Sequence, residues 1–402
     1  MTAGDAVLDA AQDVLPTMVD LRRKLHRQPE LGLDLPYTQS QVLQTIDDLG
    51  LTVNVGKGLS SVIADLDTGR PGPTILLRGD MDALPMPEDT GLEFSSEVDN
   101  RMHACGHDAH TAMLAGAATI LAGMRDSLSG TVRFMFQPGE EGAGGAKIMI
   151  EQDLLDGVDA AFALHVAPNA PDGIFGWKPG PALASADEFD IVVKGRGGHA
   201  STPHWAGDPT PVAAELVLAL QTMVTRTVDA FDPAIVTVTM LQGGTVHNVI
   251  PEHVNLGGTI RAVSERTRHL VWDNIRRVAE GVAAAHGCTA EVTIHEGYPV
   301  TINDPAFAAW AASVADETFG LGHTYEMGSP IMGAEDFSYV LQKVPGAMLF
   351  LGVCPPDNPN PFEAPSCHSN RMVLHEGSMA TGAAMHAAVA IKYLSSGGDL
   401  SA

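Results

Sequence analysis

Three histidines and one cysteine stand within eight consecutive residues of this 402-residue chain, in the segment HACGHDAH at positions 103–110. Thiolate and imidazole groups are good ligands for Zn²⁺ and related divalent metals. A polar helix start capped by Asp108 or Thr111 would explain the aspartate but not Cys105 or the histidines. A closed structural zinc site needs a second short Cys or His pair, which the sequence lacks. The segment therefore predicts an open, catalytic metal site completed by distant ligands.

A pair of acids, Glu140 and Glu141, follows the apolar segment at 131–137 and precedes a glycine-rich turn at 142–145. Adjacent residues in an extended or turning segment point in different directions, so one carboxylate can bind metal while its neighbour faces the water that the metal activates. Two solvated acids in a loop are the ordinary alternative for a bare Glu-Glu pair. The position after a buried strand favours the chemical role.

Four further side chains could complete such a site, although none is decisive alone. His165 ends an apolar segment and His368 follows a proline-rich loop at 355–365; each is also consistent with an ordinary buried or strand-end histidine. Asp80 and Asp82 follow an apolar strand candidate. They could orient metal-bound imidazoles through hydrogen bonds, although acids are common in turns.

The elements around these residues predict an α/β layered domain. Helical patterns at 6–26 and 38–49 precede short apolar strands at 61–66, 74–77, 131–137 and 160–165, with an alanine-rich helix at 110–124. In such sheets, ligand-binding groups gather beyond the carboxyl ends of the strands. Asp80, Asp82, the two glutamates and His165 all stand at such positions.

From about residue 187 the pattern changes to β-α-β-β-α-β, the order of a ferredoxin-like sandwich. Its strands are predicted at 188–194, 234–241, 253–262 and 289–295, and its helices at 208–225 and 264–286. Helices at 305–319 and 335–342, a strand at 347–353 and a terminal helix from about 379 then resume the first pattern. We therefore predict an α/β catalytic domain with a central mixed sheet, residues 1–181 and 297–402, interrupted by an inserted ferredoxin-like domain, residues 182–296. The two connections would lie side by side and could act as a hinge.

Composition narrows the possible partners. The chain carries 23 basic and 49 acidic residues, a net charge of −26, which disfavours nucleic acid and anionic membrane surfaces because both are bound through Lys and Arg. No apolar run approaches the roughly 18 residues of a membrane-spanning helix. The amino terminus lacks a secretory signal pattern, and four scattered cysteines do not suggest a disulfide framework. A cytoplasmic protein with reduced thiols is expected.

Taken together, the motifs resemble those of the hippurate hydrolase and indole-acetyl-amino-acid hydrolase family, part of the larger group of aminoacylase-like and carboxypeptidase-like dimetal amidohydrolases. The resemblance runs in order along nearly the whole chain. It rests on the segments LHRQPELG at 25–32, RGDMDALP at 78–85, MHACGHDAHT at 102–111, FQPGEEG at 136–142, GGHASTPH at 197–204, NVIP at 248–251, GTIR at 258–261 and GAEDF at 333–337.

The resemblance implies a metal-dependent amidohydrolase that cleaves small N-acyl-amino acids to a carboxylate and a free amino acid. Cys105 would bridge two divalent metal ions, of Mn, Zn, Co or Ni, and Glu140 would be the general base that moves a proton from water to the leaving amine. The remaining metal ligands implied by the family are His107, Glu141, His165 and His368.

In the inserted domain, the resemblance places His199 and Asn248 near the developing oxyanion and Arg261 against a substrate carboxylate. The histidine often reaches across from the partner subunit of a homodimer, so the inserted domain would serve as lid and dimerisation domain. Each residue also has an ordinary local interpretation: His199 in a surface loop, Asn248 in a turn, and Arg261 exposed on a strand.

The chain departs from the family pattern around His368. The family usually shows His-Ser-Pro and a later Asp-Glu pair, whereas this chain has CHSN at 367–370 and His-Glu at 375–376. Cys367 could be a spare thiol ligand or an oxidation-prone thiol. A dipeptidase or aminopeptidase-like activity and a non-catalytic ligand-binding protein on the same scaffold remain as alternatives, and the acyl group and the amino acid stay open.

Overall fold

The computed structural model describes residues 3–401. Its α-helices are α1 (Ala3–Arg27), α2 (Pro36–Ile46), α3 (His107–Gly123), α4 (Gly145–Ile150), α5 (Pro209–Thr227), α6 (Glu265–Ala285), α7 (Pro305–Phe319), α8 (Ser338–Leu341) and α9 (Ser378–Ser395). Its strands are β1 (Thr52–Val55), β2 (Val62–Asp67), β3 (Thr74–Asp80), β4 (Thr131–Gln137), β5 (Ala160–Ala167), β6 (Phe175–Trp177), β7 (Gly180–Leu183), β8 (Asp187–Lys194), β9 (Gly198–His199), β10 (Ala234–Gly243), β11 (Val249–Ile250), β12 (His253–Ala262), β13 (Thr289–His295), β14 (Thr301–Asn303), β15 (Thr324–Glu326) and β16 (Gly346–Gly352).

The chain forms two compact units. The first comprises Met1–Ala182, Ile302–Ser329 and Tyr339–Ala402, and the second comprises Leu183–Thr301 and Pro330–Ser338. The segment Pro330–Ser338 differs from the sequence prediction, which assigned it to the first domain. Its backbone explains the difference, because the carbonyl of Ile331 accepts a hydrogen bond from the amide of Ala184 at 3.0 Å, within the second unit.

The first unit is built around an eight-stranded mixed sheet with strand order β1-β2-β4-β3-β5-β16-β6-β15. The central strands β4, β3, β5 and β16 run parallel, while β1 and β2 are added antiparallel at one side. β3 and β16 are buried along almost their whole length, as expected for parallel strands covered on both faces. The predicted α/β class with a central mixed sheet is confirmed, and the carboxyl ends of four parallel strands meet at one edge.

Helices α3, α7 and α9 of the first unit pack against this sheet, and α1 packs against these three helices. α3 and α9 are rich in alanine and glycine, which lets their backbones approach closely. A Cβ atom added to Gly116 in α3 would lie 2.3 Å from Sδ of Met18 in α1 and 3.3 Å from Cβ of Ala383 in α9. This close packing fixes α3, whose first turn carries His107 and His110, against β3 and β5.

The second unit contains β8, α5, β10, β12, α6 and β13 in the predicted β-α-β-β-α-β order. These strands form an antiparallel sheet of order β10-β12-β8-β13, which is the ferredoxin-like arrangement. Phe189, Leu216, Leu256 and Ile275 lie in its own buried core between the sheet and the two helices. β10 is an edge strand of this sheet, with one long side unpaired by any described strand.

None of the helices in residues 3–401 combines the length and the apolar character that a membrane crossing requires.

Candidate metal centre

The five predicted ligand residues of the first unit come from four separate segments. Cys105 and His107 flank the start of α3, Glu141 follows β4, His165 lies near the end of β5, and His368 lies in the loop after β16. The three strands involved are neighbours or near neighbours in the parallel part of the sheet. The strand order therefore brings together side chains that are up to 263 residues apart, the separation of Cys105 and His368.

A left-handed glycine places Cys105 and His107. Gly106 has φ +85° and stands at the N-cap of α3. A Cβ atom at this position would lie 2.4 Å from Cγ2 of Val166, so both the backbone angle and the close approach require glycine. The chain turns sharply there, and the two flanking side chains face the same group of residues.

Two groups of potential metal ligands share Cys105. Cys105, His107 and His165 form the first group, and Cys105, Glu141 and His368 form the second; within each group the ligand atoms lie within 4.8 Å of one another. A sulfur common to two three-ligand groups is the arrangement expected if one side chain contacts two cations. Sulfur, imidazole nitrogen and carboxylate oxygen together suit Zn²⁺, Mn²⁺, Co²⁺ and Ni²⁺.

The hydrogen bonds of His107 fit a metal ligand. Its Nδ1 lies 2.8 Å from the backbone oxygen of Asp82, and because a carbonyl only accepts, Nδ1 carries the proton. Nε2 is buried and has no hydrogen-bond partner among the described residues. A carboxylate oxygen of Asp80 lies 3.4 Å away. Burial opposes a charged imidazole, but the carboxylates of Asp80, Asp82 and Glu141 outweigh it and raise the pKa of His107, so this position favours positive charge and fits a divalent metal.

His165 shows the same pattern. Its Nδ1 donates to the backbone oxygen of Val166 at 2.8 Å, which leaves Nε2 as the acceptor. Nε2 lies 3.5 Å from Sγ of Cys105. Each of the two imidazoles thus has one nitrogen fixed by a backbone carbonyl, as is usual for metal-binding histidines, and both belong to the same ligand group as Cys105.

The carboxylate of Asp82 holds the turn that carries the two glutamates. Its Oδ1 accepts the amide hydrogen of Glu140 and its Oδ2 accepts that of Glu141, both at 2.9 Å. From the sequence, the side chain of Asp82 was expected to orient an imidazole. It contacts His107 mainly through its backbone carbonyl, because its carboxylate is occupied by the two amides.

Glu140 and Glu141 point to different partners. Oε2 of Glu140 lies 3.9 Å from Nε2 of His107, and Oε1 of Glu141 lies 3.1 Å from Nε2 of His368. Burial opposes ionisation of Glu141, but the hydrogen bond with His368 and nearby positive charge outweigh it and lower its pKa. The same hydrogen bond raises the pKa of His368. The carboxylates of Glu140 and Glu141 lie close together beside His107, but Glu141 alone forms the ion pair with His368.

His368 stands on an unusual backbone. Its φ is +68°, a left-handed conformation that is uncommon for residues other than glycine. Its amide donates to the carbonyl of Ala104 at 2.8 Å, which attaches the loop after β16 to the segment that precedes Cys105. Strained backbone of this kind is concentrated at functional sites.

Cys367 packs beside Cys105 but belongs to neither group of potential ligands. Its Sγ lies 3.8 Å from the backbone oxygens of Cys105 and of Val166. A side-chain hydrogen bond with Cys105 lowers the pKa of Cys367 to about 6, despite its burial. The geometry places Cys367 beside Cys105 and outside both ligand groups.

Asp80 and His110 form a second buried pair beside the ligands. Nη1 of Arg78 lies 2.6 Å from Oδ2 of Asp80, and Nδ1 of His110 lies 2.6 Å from its Oδ1. Burial lowers the pKa of His110 to about 4. Asp80 was predicted from the sequence, whereas Arg78 and His110 were missed. His110 stands one helical turn after His107 and so faces the same side of α3, which is the signal that could have found it.

The three residues predicted for the second unit lie on two pieces of sheet. β9 and β11 form a short ribbon in which His199 is opposite Val249, and the amide of Ala200 donates to the carbonyl of Asn248 at 3.0 Å. His199 and Asn248 are therefore neighbours on one exposed ribbon. Arg261 lies on β12, half-buried, and its Nη1 donates to the carbonyl of Ile260 at 3.0 Å.

The sequence is similar to a known protein family and to several characterised relatives. The family model described as "Peptidase family M20/M25/M40" matches residues 76–392. Thermostable carboxypeptidase 1 of Saccharolobus solfataricus is 38% identical over 384 residues, covering 94% of this chain and 95% of the relative. N-acetylcysteine deacetylase of Bacillus subtilis is 40% identical over 336 residues, covering 83% and 88%. IAA-amino acid hydrolase ILR1-like 2 of Arabidopsis thaliana is 38% identical over 386 residues, covering 95% and 86%.

A solved structure extends the similarity to three dimensions. The YXEP protein of Bacillus subtilis, described as a dinuclear metal binding peptidase from the M20 family, superposes with a TM-score of 0.84 at 34% identity. The match covers 96% of this chain and 99% of that one. Similarity of this extent spans both compact units.

Proposed function

The chain belongs to peptidase family M20/M25/M40, and on that premise we propose that it is a two-metal amidohydrolase that cleaves N-acyl-amino acids into a carboxylate and a free amino acid. The single observation that carries the proposal is the pair of three-ligand groups that share Cys105, with the buried carboxylate of Glu140 beside them. Relatives named for deacetylation of N-acetylcysteine and for hydrolysis of IAA-amino acids support this substrate class.

Two divalent ions would be held through the sulfur of Cys105. His107 and His165 would complete one site, and Glu141 and His368 the other. Bound there, the ions would act as Lewis acids on the acyl oxygen and make water a stronger nucleophile near neutral pH. The donor set admits Mn, Zn, Co or Ni.

Glu140 is the proposed general base. The residue is 7% exposed and its backbone is fixed by Asp82, so the carboxylate has little freedom to turn away from the ligands. It would take a proton from the attacking water and then give it to the nitrogen of the leaving amino acid. Because Glu141 is engaged with His368, the two neighbouring carboxylates would divide the roles of base and ligand.

The second unit would supply the groups that recognise the substrate. Nδ1 of His199 accepts the amide hydrogen of Ser201 at 3.1 Å, which leaves Nε2–H as an exposed donor suited to an oxyanion. Asn248, the neighbour of His199 on the ribbon, would add a second donor. Arg261 would bind the carboxylate of the amino-acid part through its fork of N–H groups.

A homodimer would form through the edge strand β10. Ile235, Met240 and Leu241 on this strand are 44%, 50% and 54% exposed, and an edge with unpaired backbone groups and apolar side chains is suited to pairing with a second copy. The second unit would then serve for dimerisation and as a lid. All four cysteines are free thiols, which supports a reducing cytoplasmic setting.

Peptide hydrolysis is the second candidate, because one of the most similar relatives is named a carboxypeptidase. The two activities share the bond type and the metal chemistry. They differ in the group on the acyl side, which is a simple acid in one case and an amino acid or peptide in the other.

A substrate panel separates the candidates. The full-length protein, reconstituted with Mn²⁺ or Zn²⁺, is given N-acetyl, N-benzoyl, N-indole-acetyl and fatty-acyl amino acids together with dipeptides and amino-blocked dipeptides, and the release of free amino acid is measured. We expect turnover of acyl amino acids that is lost in Glu140→Ala. Turnover of dipeptides alone would replace the proposal by a peptidase, and no turnover of any substrate by the metal-loaded protein would contradict it.

A further inference from the structure

Both ring nitrogens of His110 are engaged in hydrogen bonds of fixed direction. Nδ1 lies 2.6 Å from Oδ1 of Asp80, and Nε2 lies 2.8 Å from the backbone nitrogen of Val166. A carboxylate paired with arginine accepts, and a backbone amide only donates. His110 is therefore a neutral imidazole that carries its proton on Nδ1.

These two hydrogen bonds cross a gap between neighbouring strands. β3 and β5 are paired only as far as Arg78 and Ala163, whereas β5 continues to Ala167. Beyond that point the imidazole of His110 takes the place of a strand partner for Val166. It connects Val166 back to Asp80, the last residue of β3.

Val166 is in turn attached to a proposed metal ligand. Its carbonyl accepts the hydrogen bond from Nδ1 of His165 at 2.8 Å, and Nε2 of His165 lies 3.5 Å from Sγ of Cys105. The rings of His110 and His165 pack edge to face, with centroids 4.7 Å apart. A shift of Val166 away from α3 would therefore move the ligand nitrogen of His165.

We propose that His110 is a positioning residue that fixes the end of β5 to the first turn of α3 and so sets the geometry of Cys105, His107 and His165 as one metal site. The inference rests on the two-metal function proposed above. His110 is not itself a ligand, because the proton on Nδ1 and the amide hydrogen bound at Nε2 leave no lone pair for a cation. Asp80, His107 and His110 lie close together for this reason and not as a third metal site.

Substitutions at His110 separate its two hydrogen bonds. His110→Gln keeps an amide oxygen near the position of Nε2, His110→Asn keeps a donor near the position of Nδ1, and His110→Ala removes both. Thr111→Val is the matched control. The hydroxyl of Thr111 donates to the backbone oxygen of Asp80 at 2.8 Å from the same buried helical turn, but it has no hydrogen bond to Val166.

The measurement is a Co²⁺ titration of the metal-free, full-length protein, followed by the thiolate-to-cobalt absorption that reports on Cys105. We expect His110→Ala and His110→Asn to weaken one of two binding steps about 10- to 100-fold, the size typical for loss of a ligand's supporting hydrogen bond, with the other step little changed. His110→Gln and Thr111→Val should bind both ions nearly as the parent does.

Three results would overturn the proposal. If His110→Ala and His110→Asn bound Co²⁺ as the parent does, the hydrogen bonds from His110 to Asp80 and Val166 would not determine the geometry of the metal site. Equal weakening of both steps with a lower Tm of the metal-free protein, and without rescue by His110→Gln, would assign His110 a purely structural role. A parent that binds no Co²⁺ would overturn this proposal and the two-metal function together. The titration uses no substrate, so it is independent of the substrate panel. If the parent bound two Co²⁺ but hydrolysed no acyl amino acid in that panel, only the proposed activity would be contradicted.

Discussion

Asp82 fixes the backbone of Glu140, because its Oδ1 accepts the amide hydrogen of that residue at 2.9 Å. Its Oδ2 accepts the amide hydrogen of Glu141 at the same distance, and its backbone carbonyl holds Nδ1 of His107 at 2.8 Å. One buried residue thus connects the proposed base with two of the proposed ligands. The relative positions of the base and the metals depend on this connection.

Replacing Asp82 by asparagine should lower turnover more than substrate binding. In Asp82→Asn an NH₂ group replaces one carboxylate oxygen and faces the backbone N–H of Glu140 or Glu141. Both groups are donors, so one hydrogen bond is lost. We expect kcat to fall about 10- to 100-fold with a smaller change in KM, measured by steady-state release of the amino acid. Asp65→Asn is the matched control, since Asp65 also accepts two hydrogen bonds, from Arg133 on β4. If Asp82→Asn kept the kcat of the parent, the hydrogen bonds that fix the backbone of Glu140 would not be needed for catalysis.

Removing the shared sulfur should affect both metal sites. Cys105→Ser replaces a thiolate by a hydroxyl, which does not ionise near neutral pH and is a poor bridging ligand. We expect the metal content per chain after dialysis, measured by elemental analysis, to fall well below that of the parent. Cys288→Ser changes a buried thiol of the second unit and should keep the parent content. If Cys105→Ser retained all its metal, the bridging role would be refuted.

His386 in α9 should make stability depend on pH. Burial lowers its pKa to about 3, whereas the unfolded chain has the ordinary value of 6.5. Between these values the unfolded state binds more protons, so the free energy of unfolding falls as the pH falls from 6.5 towards 3. From pH 7 to pH 5 this group alone accounts for a loss of about 2 kcal/mol.

Urea unfolding at the two pH values tests this expectation. The loss between pH 7 and pH 5 should be about 2 kcal/mol smaller in His386→Leu than in the parent. His253→Leu is measured as the control, because it replaces an exposed histidine of the second unit. An unchanged pH dependence in His386→Leu would show that His386 is not held neutral in the folded protein.

The strand ends that carry the site were predictable because they follow from local sequence. The segment Thr131–Gln137 is apolar and β-rich, and it forms β4 with the predicted bounds. β5 begins at the predicted residue and runs two residues beyond His165, to Ala167. Parallel pairing of adjacent buried strands then places Glu140, Glu141 and His165 at one edge of the sheet.

Long-range hydrogen bonds could not be predicted from the same patterns. Asp108 was considered as the helix cap, but Gly106 occupies the N-cap position. The carboxylate of Asp108 instead accepts hydrogen bonds from Arg22 at 3.1 Å and from His26 at 2.8 Å. Both partners lie on α1, more than 80 residues earlier in the chain, and no local pattern encodes that contact.

Short or locally capped segments were predicted wrongly or missed. The helix expected at 335–342 is reduced to Ser338–Leu341. The side chain of Glu335 accepts the amide hydrogen of Phe337 at 2.9 Å, a local hydrogen bond that competes with helix formation. β6 and β15 have three residues each, too few for an alternating pattern to appear, and they exist because they pair with each other at the side of the large sheet.

The most direct test of the central claim is to measure turnover and metal content together in Glu140→Gln. This substitution keeps the shape of the side chain and removes its ability to take a proton. We expect the variant to bind metal as the parent does and to release amino acid about 10²- to 10⁴-fold more slowly. Glu151→Gln, which changes an exposed acid of the same unit, should keep full activity. Parent-level hydrolysis by metal-loaded Glu140→Gln would contradict the assignment of Glu140 as the base.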